Sequence, residues 1–269
     1  MTRVLIKSIG FFLLIKLIFI LIGGSVELLF SDGSNPDQYP TIISTLAFPI
    51  SAISIGLIIL WRFPLIFRQC ISWLYPLWRN LLHFSLMVLT IGLLFTCIVY
   101  LGKSAGFVIP NTAISHAITL KVLASLFIIT LMVGFTEEFI YRGVISAYFI
   151  EKIGVRATII IVSFLFSLGH FYYVGLLPFI SAFTMGIVSV MLLLKTGSLY
   201  ASIGLHCGWN FIYFIFEKFY NLNTVVVPFW GNLFELYQIG LLCIILIPLL
   251  FYKGVKNSYI SNSGEPAPW

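Results

Sequence analysis

Apolar runs about 20 residues long, separated by short polar stretches, recur along the whole chain. Crossing the hydrocarbon core of a bilayer as a helix takes about 20 apolar residues at ~1.5 Å rise each. By that measure the pattern predicts about eight transmembrane spans, near 4–24, 42–61, 81–101, 124–150, 157–174, 176–195, 198–218 and 235–252. The expected fold class is therefore all-α, a polytopic membrane protein. The N-terminal apolar run is too long for the h-region of a signal peptide and lacks a small-residue cleavage site, so it reads as an uncleaved first span. The tail beyond Asn257, with its Ser, Asn and Pro, reads as disordered.

Composition agrees with this reading. Only 9% of the 269 residues are charged against 60% hydrophobic, whereas soluble domains carry about 25% charged residues. Mean hydropathy is +1.08. The formal charge of +6 lies between spans, without a basic cluster interleaved with aromatics, so no nucleic-acid partner is expected. Arg62, Arg68 and Arg79 fall in the second loop, Lys152 and Arg156 in the fourth, Lys195 in the sixth, and Lys253 and Lys256 in the tail. The first loop carries Glu27, Asp32 and Asp37 and no basic residue. The positive-inside rule then places both termini in the cytoplasm, with only Lys103 and Lys121 of the third loop pulling the other way. Cys70, Cys97, Cys207 and Cys243 are scattered, which indicates neither a disulfide framework nor a cysteine metal site.

A few polar residues break the apolar pattern. Glu137, Glu138 and Arg142 lie inside the fourth span, His170 in the fifth, and His206 and Asn210 in the seventh. Ionisable groups at bilayer depth are costly and mark functional sites by default. Counted from the cytoplasmic ends of their spans, Glu137, His170, His206 and Asn210 lie at overlapping depths of roughly 12–20 Å, as a shared site requires. Adjacent helical residues point about 100° apart, so Glu137 and Glu138 take different surroundings. Glu138 and Arg142 stand four apart, in the order that favours a structural ion pair. Glu137 is left without a local partner and is the candidate for chemistry. His83 and His116 sit near span ends and read as structural. Small hydroxyls such as Ser163, Ser181 and Thr184 read as backbone-bonded, and Cys207 points off the His206/Asn210 face.

Glu137-Glu138-x-x-x-Arg142, Phe166-x-x-x-His170 and His206-x-x-x-Asn210 resemble, in order and placement, the three motifs of the CPBP (Abi) intramembrane proteases. That family includes the type II CAAX prenyl endopeptidases and bacterial bacteriocin-processing or immunity proteins. The resemblance implies a core at 124–218, preceded by N-terminal transmembrane helices at 1–123 and followed at 219–269 by a last helix and a cytoplasmic tail. It further implies hydrolysis of a peptide bond at or within the membrane. Glu137 and His170 would activate water, while His206 and Asn210 would hold the oxyanion. Glu137, His170 and His206 are also a donor set suited to zinc with an open fourth position. There is no His-Glu-x-x-His motif, and the metal-free reading is preferred. The expected partners are the lipid bilayer and a peptide or membrane-protein substrate, in a bacterial plasma membrane; the oligomeric state is not legible.

Two other classes compete. A transporter or proton relay also uses buried Glu and His, but needs polar residues through the outer halves of the spans, and these appear few. A binding or immunity protein could keep the fold and dispense with catalysis.

Overall fold

The computed structural model describes residues 73–251, apart from 75, 107, 111–119, 171–174, 222–225, 228–230 and 233. The first two predicted spans, His116 and the C-terminal tail lie outside the described residues. In chain order the helices are α1 (Leu77–Ser104), α2 (Leu120–Glu138), a π-helical segment (Phe139–Ile145), α3 (Ser146–Ile153), α4 (Val155–Gly169), α5 (Leu176–Thr196), α6 (Leu199–Phe219) and α7 (Phe234–Phe251). Two antiparallel two-residue ladders accompany them, Ile109–Pro110 with Tyr220–Asn221 and Val226–Val227 with Gly231–Asn232.

Each of the six apolar runs predicted in this region contains a helix, and the count of eight spans is tested only for these six, since the first two lie outside the described residues. Five helices among the described residues are long and apolar enough to cross a membrane, Leu77–Ser104, Val122–Ile153, Leu176–Thr196, Leu199–Glu217 and Phe234–Phe251. The run expected at 157–174 is shorter. Helix α4 has 15 residues and ends at Gly169, with His170 as its C-cap. At ~1.5 Å per residue it reaches about 22 Å, less than the ~30 Å of a hydrocarbon core. Leucines along one side of α1, from Leu77 to Leu93, stay exposed, as expected where the solvent is lipid rather than water. The chain is an integral membrane protein.

The fourth run is a continuous helical path from Leu120 to Ile153 with a π turn at its centre. All seven residues of the π segment are buried. Its widened turn needs i+5 partners, and the Ser146 hydroxyl donates to the Tyr141 carbonyl at 2.8 Å. π segments inside α-helices often accompany functional sites, and this one begins directly after Glu138. The path ends at Gly154, whose φ of 79° is left-handed backbone suited to glycine and closes the helix before α4.

Helix α6 is the centre of the bundle, packed against α1, α2 and α5. Small residues let the backbones approach closely, the usual device of helix pairs in membranes. A Cβ on Gly204 would fall 2.6 Å from the Phe84 carbonyl oxygen, and one on Gly208 3.0 Å from the Val88 Cα, both on α1. On the other side, a Cβ on Gly134 of α2 would lie 3.1 Å from the Cys207 backbone nitrogen. The start of α6 is tied to the start of α1 by the Leu199 N–H donating to the Trp73 carbonyl at 3.1 Å. Near the other end, Phe95 of α1 is fully buried among the rings of Trp209, Tyr213, Phe216 and Phe234.

Candidate active site

Side chains at spacing i, i+4, i+7 and i+11 share one face of a helix. On α6 this face presents His206, Asn210, Tyr213 and Glu217, and all four line one cavity of about 650 Å³. Glu137 from α2, Phe166 from α4 and the α4 cap His170 line it as well, with Ser181 and Met185 from α5 and Glu235 and Gln238 from α7. The cavity therefore gathers Glu137, His170, His206 and Asn210. Glu138 and Arg142 are not among its lining residues.

Glu138 sits behind the wall. It is fully buried, as is Arg142, and its Oε1 lies 3.0 Å from Arg142 Nη1, an ion pair whose angle falls short of a hydrogen bond. The same oxygen lies 2.8 Å from His206 Nδ1. A carboxylate can only accept, so Nδ1 carries the proton and donates. The contact holds the ring's orientation and leaves Nε2 as the nitrogen able to meet a substrate. The close approach at Gly134, one turn before Glu138, brings α2 near enough to α6 for this bond to form. The Arg142 guanidinium stacks 4.2 Å from the Phe166 ring centroid.

Phe166 joins the two halves of the site. Its buried ring lies 4.4 Å from the His170 ring and 5.8 Å, edge to face, from that of His206. Its carbonyl oxygen lies 2.9 Å from His170 Nδ1. A carbonyl cannot donate, so the His170 Nδ1 also carries a proton, and in the neutral ring Nε2 is an acceptor. That Nε2 faces Glu137 Oε2 at 3.7 Å, both side chains about one-fifth exposed. The separation is too long for a hydrogen bond. It leaves Glu137 Oε2, a buried atom without a hydrogen bond, next to the His170 ring.

Cys207 is fully buried, lies 3.8 Å from the Thr130 hydroxyl and does not line the cavity. Among the described residues no three of His, Cys, Asp or Glu are grouped so as to hold a metal ion. The expectation of few polar residues in the outer parts of the spans also needs revision, because Glu217, Glu235, Gln238 and Ser181 all reach the cavity. The signal was present: Glu217 and Glu235 are two of only nine acidic residues in the chain.

Taken together, the apolar helices carry a cavity lined in part by polar side chains. Residues 119–212 match the family described as Rce1-like, type II CAAX prenyl endopeptidase, in agreement with the resemblance carried by the three motifs. The matched segment runs from just before α2 into α6, about a third of the chain, and contains Glu137, Glu138, Arg142, His170, His206 and Asn210. No curated protein matches the chain.

Proposed function

We propose that the chain is an intramembrane endopeptidase that hydrolyses a peptide bond of a membrane-associated substrate. The observation that carries this reading is the Glu137–His170 pair, 3.7 Å apart, both residues lining the cavity. A water can donate one hydrogen to each, which aims its lone pair at a carbonyl carbon in the cavity. As the oxygen attacks, its proton passes to Glu137. The carbonyl oxygen becomes an oxyanion beside Asn210 and His206. The Asn210 amide is a donor as it stands. His206 stands beside it, its ring oriented by the Nδ1–H that donates to Glu138. Collapse of the tetrahedral intermediate returns the proton from Glu137 to the leaving amine. Each step uses groups of this chain, and none runs through a metal.

On the orientation expected from the basic loops, α6 runs outward and the Glu217 end of the cavity faces the outer side. The substrate proposed is a membrane peptide, such as a bacteriocin precursor, that needs no prenyl group. The test is comparative terminal proteomics on membranes carrying the wild-type or the Glu137→Gln protein. The expected result is a set of new peptide termini that vanish in the variant and in His170→Ala. Identical termini in all three would overturn the proposal. Chelator treatment that leaves cleavage intact at substoichiometric metal is expected, and a loss reversed by zinc would overturn the metal-free route.

A further inference from the structure

The cavity lining extends past the motif residues to Glu217 on α6 and to Glu235 and Gln238 on α7, all beyond the matched residues 119–212. Glu235 and Gln238 are three apart and share a face of α7. Ser181 of α5, itself buried, lies beside the Glu235 side chain. Gln238 is only 4% exposed and lines the cavity. No hydrogen bond to its amide is found among the described residues. A buried amide that faces a cavity without a partner costs about 1–3 kcal/mol unless a ligand or water satisfies it.

Charge points to the kind of ligand. The described cavity lining carries three carboxylates, Glu137, Glu217 and Glu235, and no Lys or Arg. Carboxylates on low-dielectric walls focus a negative potential and concentrate cations. Spacing then supplies the register. Glu217 lies seven residues beyond Asn210 and eleven beyond His206, about 10 and 16 Å along α6. An extended peptide advances about 3.3 Å per residue, so those distances correspond to roughly three to five residues from the scissile bond.

We infer that Glu217, Glu235 and Gln238 form a subsite that selects a Lys or Arg three to five residues from the cleaved bond. The two carboxylates meet the cationic side chain, and the Gln238 amide bonds the substrate backbone beside it. This deepens the endopeptidase reading, and it rests on that reading for the register alone.

Binding tests it separately from catalysis. The full chain carrying Glu137→Gln, in lipid nanodiscs, is titrated with a labelled ten-residue apolar peptide bearing one Lys, and with peptides carrying Gln or Glu there. The Lys peptide is expected to bind at least tenfold tighter than the Gln peptide. In the Glu217→Gln/Glu235→Gln background the two should bind alike, with the affinity of the Gln peptide retained as the control for folding. Glu235→Lys should turn the preference towards the Glu peptide. Equal binding of Lys and Gln peptides at every position scanned, or a Lys preference that survives in the double variant, would overturn the subsite. Binding that follows this pattern without any cleavage by the wild-type chain would sink the endopeptidase reading and leave the cationic subsite standing.

Discussion

Glu137 and Glu138 are neighbours in the chain and opposites in surroundings. Glu138 is fully buried and shares one oxygen between Arg142 and His206. Glu137 opens on the cavity and faces His170 across a gap. Removal of either carboxyl deletes the same chemical group, but the consequences should separate. One carboxylate compensates a buried cation and aims a histidine from behind. The other has a partner it does not bond and a space in front of it. The carboxylate closed off behind the wall, holding a guanidinium and an imidazole through one oxygen, serves structure, and the one that lines the cavity is available for reaction.

The largest effect should come from Glu138. Glu138→Ala leaves the Arg142 guanidinium buried without its counter-charge, which typically costs about 3–5 kcal/mol. The expected outcome is a large drop in thermal stability in detergent, with activity lost alongside. Glu137→Gln should do the reverse. Folding should stay within about 0.5 kcal/mol of wild type, as for substitutions away from packed or paired groups, while cleavage falls by about 10²–10⁴, the usual contribution of a general base. If Glu137→Gln unfolds the protein, or Glu138→Ala leaves it as stable as before, the division between the two carboxylates is wrong.

Much of this division was within reach of the sequence, for reasons of periodicity. Glu138 and Arg142 stand four apart, and their pairing needs only helical geometry. The assignment of polar residues to apolar helices likewise needs only counting. The contact between Glu138 and His206 depends on how α2 and α6 are rotated about their axes, and a one-dimensional pattern does not hold that angle. Gly134 and Cys207 set it by close approach, and a single glycine in an apolar run does not announce its partner. The π segment was hidden because no Pro marks it and one Gly143 in an apolar run does not announce a widened turn. It also means that depth counted at a uniform rise drifts across the fourth run. The end of α4 at Gly169 was missed because the apolar run continues through Phe171 and Tyr172. His170 therefore acts from a helix end rather than from mid-helix.

A smaller effect distinguishes the two seams of α6. Gly204→Ala would place a Cβ 2.6 Å from a backbone oxygen of α1, and Gly134→Ala one 3.1 Å from a backbone nitrogen of α6. Overpacking of this kind costs about 1–3 kcal/mol. Gly204→Ala should destabilise more, because its clash is the tighter. Gly134→Ala should cost less stability but proportionally more kcat, because the strain falls between Gly134 and Cys207, beside the 2.8 Å contact of Glu138 with His206. Unfolding and steady-state cleavage measured on both variants would show it. If kcat simply follows stability in both, the α2–α6 seam does not tune the site.

The smallest expected effect probes the ring that links the two carboxylate neighbourhoods. Phe166→Leu keeps most of the buried volume but removes the face under Arg142 and the edges against both histidines. Loss of a cation–π contact is worth about 0.5–2 kcal/mol, so stability should fall by that order. The rings of His170 and His206 should re-aim, lowering kcat while KM changes little, because substrate-binding groups on α6 and α7 are untouched. Arg142→Lys in the same background separates packing from charge, since a lysine keeps the charge and loses the planar stacking. If ring and guanidinium act together, the two substitutions should couple by at least 0.5 kcal/mol in a double-mutant cycle. Strict additivity would reduce Phe166 to filler between two independent sites. In that case Glu137–His170 and Glu138–His206 would have to be described as separate devices that share a helix.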